Sequence, residues 1–152
     1  MSVTQERDTT TIRQTVIFSA TPDEVYEMIM DSKKHASLSG EKAEISRDVG
    51  GAFTAWGNHL SGVNLVLRPG EKIVQAWRAH DWWPDHYSIV IFALRRVDSG
   101  TELQFTQIGV PLHRFDDHSR GWIDTYWRPM KETFAKMTSL PRQSVEEEGI
   151  HF

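Results

Sequence analysis

The chain has 152 residues, with 21 Asp or Glu against 17 Lys or Arg and a formal net charge of −4, a length that holds one domain with a real core and is short for two. The cations are dispersed, so no basic footprint for nucleic acid is present, and no apolar run reaches the roughly 18 residues of a membrane-spanning helix. Apolar and charged fractions of 39% and 25% exclude a disordered chain, the polar start Met1–Asp8 is not expected to be a signal-peptide core, and the absence of cysteine excludes disulfides and thiol chemistry and points to the cytoplasm.

Residues 10–18 are rich in β-branched side chains and predict a first strand. Thr21-Pro22-Asp23-Glu24 then reads as a helix start: Thr21 can cap, Pro22 suits the first helical position and Glu24 completes a capping box. This helix is expected to run to about Asp31 with Val25, Met28 and Ile29 on one face, followed by a short helical piece over 33–39 that ends at Gly40.

From Gly40 to about residue 109 the pattern changes to strands. Gly50-Gly51, Trp56-Gly57-Asn58, Arg68-Pro69-Gly70-Glu71 and Asp98-Ser99-Gly100 carry turn chemistry. Strands are expected near 42–47, 51–56, 59–67, 71–79, 86–97 and 101–109, and turns this short make neighbours antiparallel. Across the Pro-Gly turn, pairing Leu67 with Lys72 sets Leu65 opposite Val74 and Gly62 opposite Trp77, with the glycine leaving room for the indole. Residues 87–94 are apolar on both faces, so Val90 and Phe92 are expected to pack beneath the first helices or against a second copy of the chain.

After Val110-Pro111 the period becomes helical. Asp116 and Asp117 favour a helix N-terminus, and Trp122, Tyr126, Met130, Phe134 and Met137 follow as one apolar stripe. Gly121 weakens this helix, Pro129 is expected to bend it, and Pro141 marks its end. The tail around Glu146–Gly149 is expected to fray. The order is strand, helix pair, six-stranded meander and long helix, which is an α+β arrangement in a single domain over 1–152 with its core at about 10–140.

Several segments match a known family in the right order. Gly50-Gly51-Ala52-Phe53 with Trp56-Gly57, Gly62–Leu67 with Pro69, Ile73–Arg78, Trp83–Ser88, Gly109-Val110-Pro111, Gly121-Trp122 and Trp127–Lys131 resemble the activator of the 90-kDa heat-shock protein ATPase, C-terminal domain type, within the START-like or birch-pollen-allergen-like superfamily. The similarity covers about residues 12–137. It implies a helix-grip fold, in which a curved antiparallel sheet wraps around the long C-terminal helix and encloses a cavity. It also implies either a contact with the chaperone or the binding of small apolar molecules that prevails in the superfamily. The eukaryotic co-chaperone carries an additional N-terminal domain, to which the roughly ten-residue leader here has no counterpart, so ATPase stimulation is not the leading expectation.

Six Trp, seven Phe and three Tyr stand out, because each such ring can bury roughly 150–250 Å². Trp77, Tyr87, Trp122, Tyr126 and Met130 are the candidate lining of an apolar cavity between sheet and helix, with Trp83 and His86 near its mouth. The same rings would equally serve a filled core, with Trp83-Pro84 closing a hairpin end. For metals, His80 with Asp81 and His86, or His113 with Asp117 and His118, can be drawn as ligands, but the tight spacing of zinc sites is missing and no metal is expected. No Gly-x-Ser-x-Gly elbow and no cysteine nucleophile is present. Glu27, Glu44, Asp81 and His86 are candidates for acid–base work of the START-like cyclase or hydrolase type, although no spacing singles out a pair. The leading expectation is therefore a non-enzymatic module for an unidentified apolar small molecule, without a cofactor, with a homodimer as a further expectation.

Overall fold

Local sequence rules dictate the first half of the chain in the computed structural model, which describes residues 7–139. Strand β1 (Thr9–Phe18) alternates from Ile12 onward, sending Ile12, Val16 and Phe18 inward. Thr21 caps helix α1 (Pro22–Met30) through a capping box: its hydroxyl accepts from the Glu24 amide at 3.1 Å, and its own amide donates to the Glu24 carboxylate at 2.8 Å. Asp31 ends α1 and caps helix α2 (Ser32–Ser39), which stops at Gly40 in the left-handed region.

Six strands follow: β2 (Glu44–Ile45), β3 (Ala52–Ala55), β4 (Leu60–Arg68), β5 (Lys72–Ala79), β6 (Ser88–Val97) and β7 (Gly100–Pro111). With β1 they form one antiparallel sheet in the order β1-β7-β6-β5-β4-β3-β2. The expected strand at 42–47 shrinks to two residues, because the Ser46 hydroxyl accepts from the Asp48 amide and turns the chain.

Register follows the sequence only in part. Gly62 pairs with Trp77 as expected, but a bulge between Asn64 and Val66 moves the rest by one, so Leu67 faces Ile73 and Val66 faces Val74. The glycine serves a different neighbour from the one expected. A Cβ at Gly62 would lie 1.9 Å from the Ala76 carbonyl oxygen and 2.7 Å from the Phe53 ring, so backbone and Phe53 forbid a side chain there.

The last element is one helix in three pieces: α3 (Phe115–Trp122), a π turn (Ile123–Trp127) and α4 (Arg128–Ser139). The bend expected at Pro129 takes the form of this π turn. Proline cannot donate and crowds the carbonyl four residues back; here the Arg128 amide reaches back five residues to the Ile123 carbonyl, one step before the proline. The longer turn brings Trp127 onto the same side as Trp122, and their rings stack at 5.5 Å. Trp122, Tyr126, Trp127, Met130 and Phe134 are buried, whereas Met137, expected on this stripe, is 48% exposed.

These rings fill the concave face of the sheet, meeting Phe18, Phe92 and Phe105. Val90 and Phe92 belong to this core, which removes the need for a second copy to cover them. The residues facing outward are Ile89 and Ile91, which share their rows with Ile108, Ala76, Val74, Val63 and Val66. The fold is the helix-grip arrangement expected from the sequence. No helix among the described residues is long and apolar enough to cross a membrane. Pro141 and the acidic tail lie outside the described residues.

Candidate functional site

An open cavity of about 270 Å³ lies between α3, the π turn and the ends of β4 and β5. Its floor is aromatic. Trp77 from β5, Trp122 from α3 and Tyr126 from the π turn meet with ring centroids 5.5 and 4.7 Å apart. Trp56 adds a fourth ring, 6.5 Å from Tyr126. It stands on the β3–β4 turn with a φ of 56°, a left-handed conformation that is costly for a residue with so large a side chain. The open space continues alongside the helix at Gly121, where an added Cβ would meet nothing within 4 Å.

The floor is held by polar contacts from behind. The Trp122 indole donates to Gln107 Oε1 at 2.8 Å, Gln107 donates to the Ser88 hydroxyl at 3.0 Å, and that hydroxyl donates to the Trp77 carbonyl at 2.9 Å. His35 Nδ1–H donates to the Ile29 carbonyl at 2.8 Å, which leaves Nε2 to accept from the Tyr126 hydroxyl at 2.7 Å. Burial pushes the Tyr126 phenol well above its ordinary range and the His35 imidazole below its own, so both stay neutral. Behind these rings lies a void of about 10 Å³ lined in part by His35 and Gln75, about the size of one water molecule.

The rim is polar. His59, Arg114, Asp117 and His118 lie there. Arg114 donates to Asp81 Oδ2 at 2.7 Å, and its Nε stands 4.0 Å from Asp117, too far for a hydrogen bond. That Nε–H is buried with no hydrogen-bond partner. His118 Nε2 accepts from the Trp82 indole at 2.9 Å. Burial, with the Arg114 charge second, pushes the His118 imidazole down to about 4. Protonating Nε2 would also break the bond from Trp82.

The structure thus brings Trp77, Trp122 and Tyr126 together on the cavity floor and places the other expected residues elsewhere. Met130 is fully buried in the core below. Trp83 packs edge-on against His86 at 5.0 Å and lies near His113 at 5.7 Å. His86 Nε2 hydrogen-bonds the Gly109 carbonyl at 2.8 Å. Tyr87 is 47% exposed, with the Arg78 guanidinium over its ring at 5.9 Å. The loop that was expected to form the mouth is instead pinned by Arg78, which donates to the carbonyls of Trp82, Trp83 and His86.

The acidic acid–base candidates are all held in ion pairs, two of them away from the cavity and Asp81 against the rim residue Arg114. Glu27 pairs with Arg47, Glu44 with Lys42 and Asp81 with Arg114. Sequence reasoning missed Trp56, His59, Arg114 and His118 as lining. Only Trp56 carried a usable signal, a large ring set directly before a turn glycine.

Comparison with known proteins adds the family. The profile of the family described as Activator of Hsp90 ATPase homolog 1-like protein matches residues 19–135. The Activator of 90 kDa heat shock protein ATPase homolog of Dictyostelium discoideum is 28% identical over 139 residues, which is 90% of this chain and 36% of that protein. This chain therefore spans about a third of the length of the curated relatives it matches. An HSP90 activator from Plasmodium falciparum superposes with a TM-score of 0.77 at 22% identity, covering 82% of this chain and 96% of that one. The solution structure of the Aha1 dimer from Colwellia psychrerythraea gives 0.71 at 15% identity, over 82% and 96% of the two chains.

Proposed function

This chain belongs to the Activator of Hsp90 ATPase homolog 1-like family, and from that premise we propose that it is a binding module for a small, flat, largely apolar molecule carrying one hydrogen-bond acceptor. The observation that carries the reading is the open cavity whose floor is Trp56, Trp77, Trp122 and Tyr126 and whose rim holds the unpartnered Nε–H of Arg114. Ring faces recognise ring faces through burial, at roughly 25 cal/mol per Å² of apolar surface, and through offset stacking. The Arg114 Nε–H is buried without an acceptor, a standing cost of about 1–3 kcal/mol, and a carbonyl or carboxylate oxygen on the ligand would relieve it once the Arg114 side chain turns toward the cavity. The volume of about 270 Å³ sits just under the range of roughly 300–1,000 Å³ for drug-sized ligands, which suits one or two rings. A cytoplasmic setting belongs to this reading, because a chain without cysteine suits a reducing compartment.

Binding is tested by tryptophan fluorescence and thermal melting against one- and two-ring aromatic acids and their neutral analogues. A saturable fluorescence change is expected, with roughly 2.7 kcal/mol of added stability at 100 times the dissociation constant. Gly121→Leu fills the cavity from the helix side and should abolish the response while the protein stays folded. Flat responses across both sets of compounds would sink the proposal.

A second reading has its own support. The Dictyostelium relative is named as a homolog of an activator of the 90 kDa heat shock protein ATPase and the Plasmodium protein as an HSP90 activator, and the outer sheet face carries an apolar band with Leu65, Val66 and Ile108 each more than a third exposed. A chaperone, or a second copy of this chain as the Colwellia relative's dimer suggests, would cover that band. Light scattering and chaperone ATPase assays separate these cases from cavity binding.

A further inference from the structure

The β4–β5 ladder does not stop at its last strand pair, Leu60 with Ala79. One step further out, the His80 amide donates to the His59 carbonyl at 2.8 Å. This extra pairing sets two imidazoles side by side, because directly paired residues of an antiparallel ladder share a face. Their ring centroids are 4.2 Å apart. Asp81 follows His80, and one donor atom from each of His59, His80 and Asp81 lies within 4.8 Å of the other two.

We propose that His59, His80 and Asp81 form a three-ligand site for a divalent transition-metal ion on the rim of the aromatic cavity. Donors bound to zinc at about 2.0–2.2 Å stand roughly 3–3.5 Å from one another, so a trio within 4.8 Å has to close by no more than about 1–2 Å. All three side chains are exposed, and with Asp81 held by Arg114 the two imidazoles make most of that adjustment. Two imidazole nitrogens and one carboxylate oxygen, with no thiolate, select zinc, copper, nickel or cobalt ahead of calcium or magnesium.

Arg114 has two opposing effects here. Its bond to Asp81 Oδ2 at 2.7 Å orients the carboxylate and leaves Oδ1 to face the ion. Its charge opposes a cation, but Asp81 and Asp117 both stand beside it, so the carboxylates outnumber the guanidinium. His118 is not one of the residues whose donor atoms come together here, and its Nε2 is engaged by Trp82. Three protein ligands leave coordination positions open, and His59 is also part of the cavity wall. The ion would therefore stand where an acceptor group of a cavity ligand could reach it. Metal binding itself does not depend on that ligand, so either proposal can fail without the other.

The test uses the full chain without a histidine tag, titrated with zinc chloride at pH 7.5 against a chromophoric chelator, with melting temperature as a second readout. One equivalent of zinc is expected, together with a rise in melting temperature. His59→Ala and His80→Gln should each weaken binding by at least tenfold, while His113→Ala, on a histidine away from the trio, should not. Circular dichroism confirms that the variants fold, and anomalous scattering at the zinc edge should place a peak between His59 and His80. No stoichiometric binding, or binding that survives in the His59→Ala/His80→Gln double variant, overturns the proposal.

Discussion

His118 shows how one partly buried side chain ties the cavity rim to stability. Its folded pKa of about 4 lies below the ordinary value of 6.5, chiefly because burial disfavours the charged ring. Between these values the unfolded chain binds a proton that the folded chain does not. Stability therefore rises with pH from about 4 to about 6.5 and is lost as pH falls through that window, by on the order of 2 kcal/mol after allowance for partial exposure. Urea unfolding between pH 4 and 7 should show this slope, and His118→Gln should reduce it, leaving the part that the buried His35 contributes in the same direction. An unchanged slope in the variant would mean that another group controls acid unfolding. The residue scale is also where the sequence was least legible. Trp77 and Trp122 lie on regular elements, where period alone gives side-chain direction, and Tyr126 follows Trp122 by about one turn. Trp56 and His59 lie on a turn and Arg114 ends a short 3-10 helix, and the direction of Trp56 depends on a φ of 56° that no periodicity foretells.

Elements were legible wherever local chemistry decides. The capping box at Thr21 and Glu24 and the stop at Gly40 depend on contacts within a few residues, and they appear where the sequence places them. The bulge after Asn64 and the π turn before Pro129 depend on partners far along the chain, and they shifted the expected register and helical stripe. Gly121 belongs to this scale. It lies inside α3 with open space at its Cβ position, so alanine there removes unfolded-state freedom without a clash. Gly121→Ala should stabilise by about 0.5–1 kcal/mol, a rise of roughly 2–4 °C in melting temperature. A helix that keeps glycine where alanine fits is trading stability for the open space beside it. If the variant melts lower instead, the glycine is required by the junction with the π turn.

At the scale of the molecule, sheet and helix meet through a layer of rings, and rings alone tolerate many offsets. Polar bonds from the helix to the sheet and to α2 select one. Trp122 reaches Gln107, Tyr126 reaches His35, and Gln14 makes two such bonds, accepting from the Trp127 indole at 2.7 Å and donating to the Ser119 carbonyl at 2.9 Å. The Ser119 carbonyl has a reason to need it. On entry to the π turn, the Ile123 amide bonds the Arg120 carbonyl, so it does not extend the regular ladder back to Ser119. Gln14 thus joins β1 to both sides of the π turn, which carries Tyr126 of the cavity floor. None of this was legible in the sequence, where Gln14 is one polar residue in a strand and its partners lie 105 and 113 positions away. Gln14→Met keeps the volume and removes both bonds, leaving two polar groups unsatisfied at about 1–3 kcal/mol each. The variant should lose roughly 2–4 kcal/mol in urea unfolding, and its ring packing should loosen, seen as weakened near-ultraviolet circular dichroism with the far-ultraviolet signal retained. A loss below about 0.5 kcal/mol would show that ring packing alone fixes the helix on the sheet.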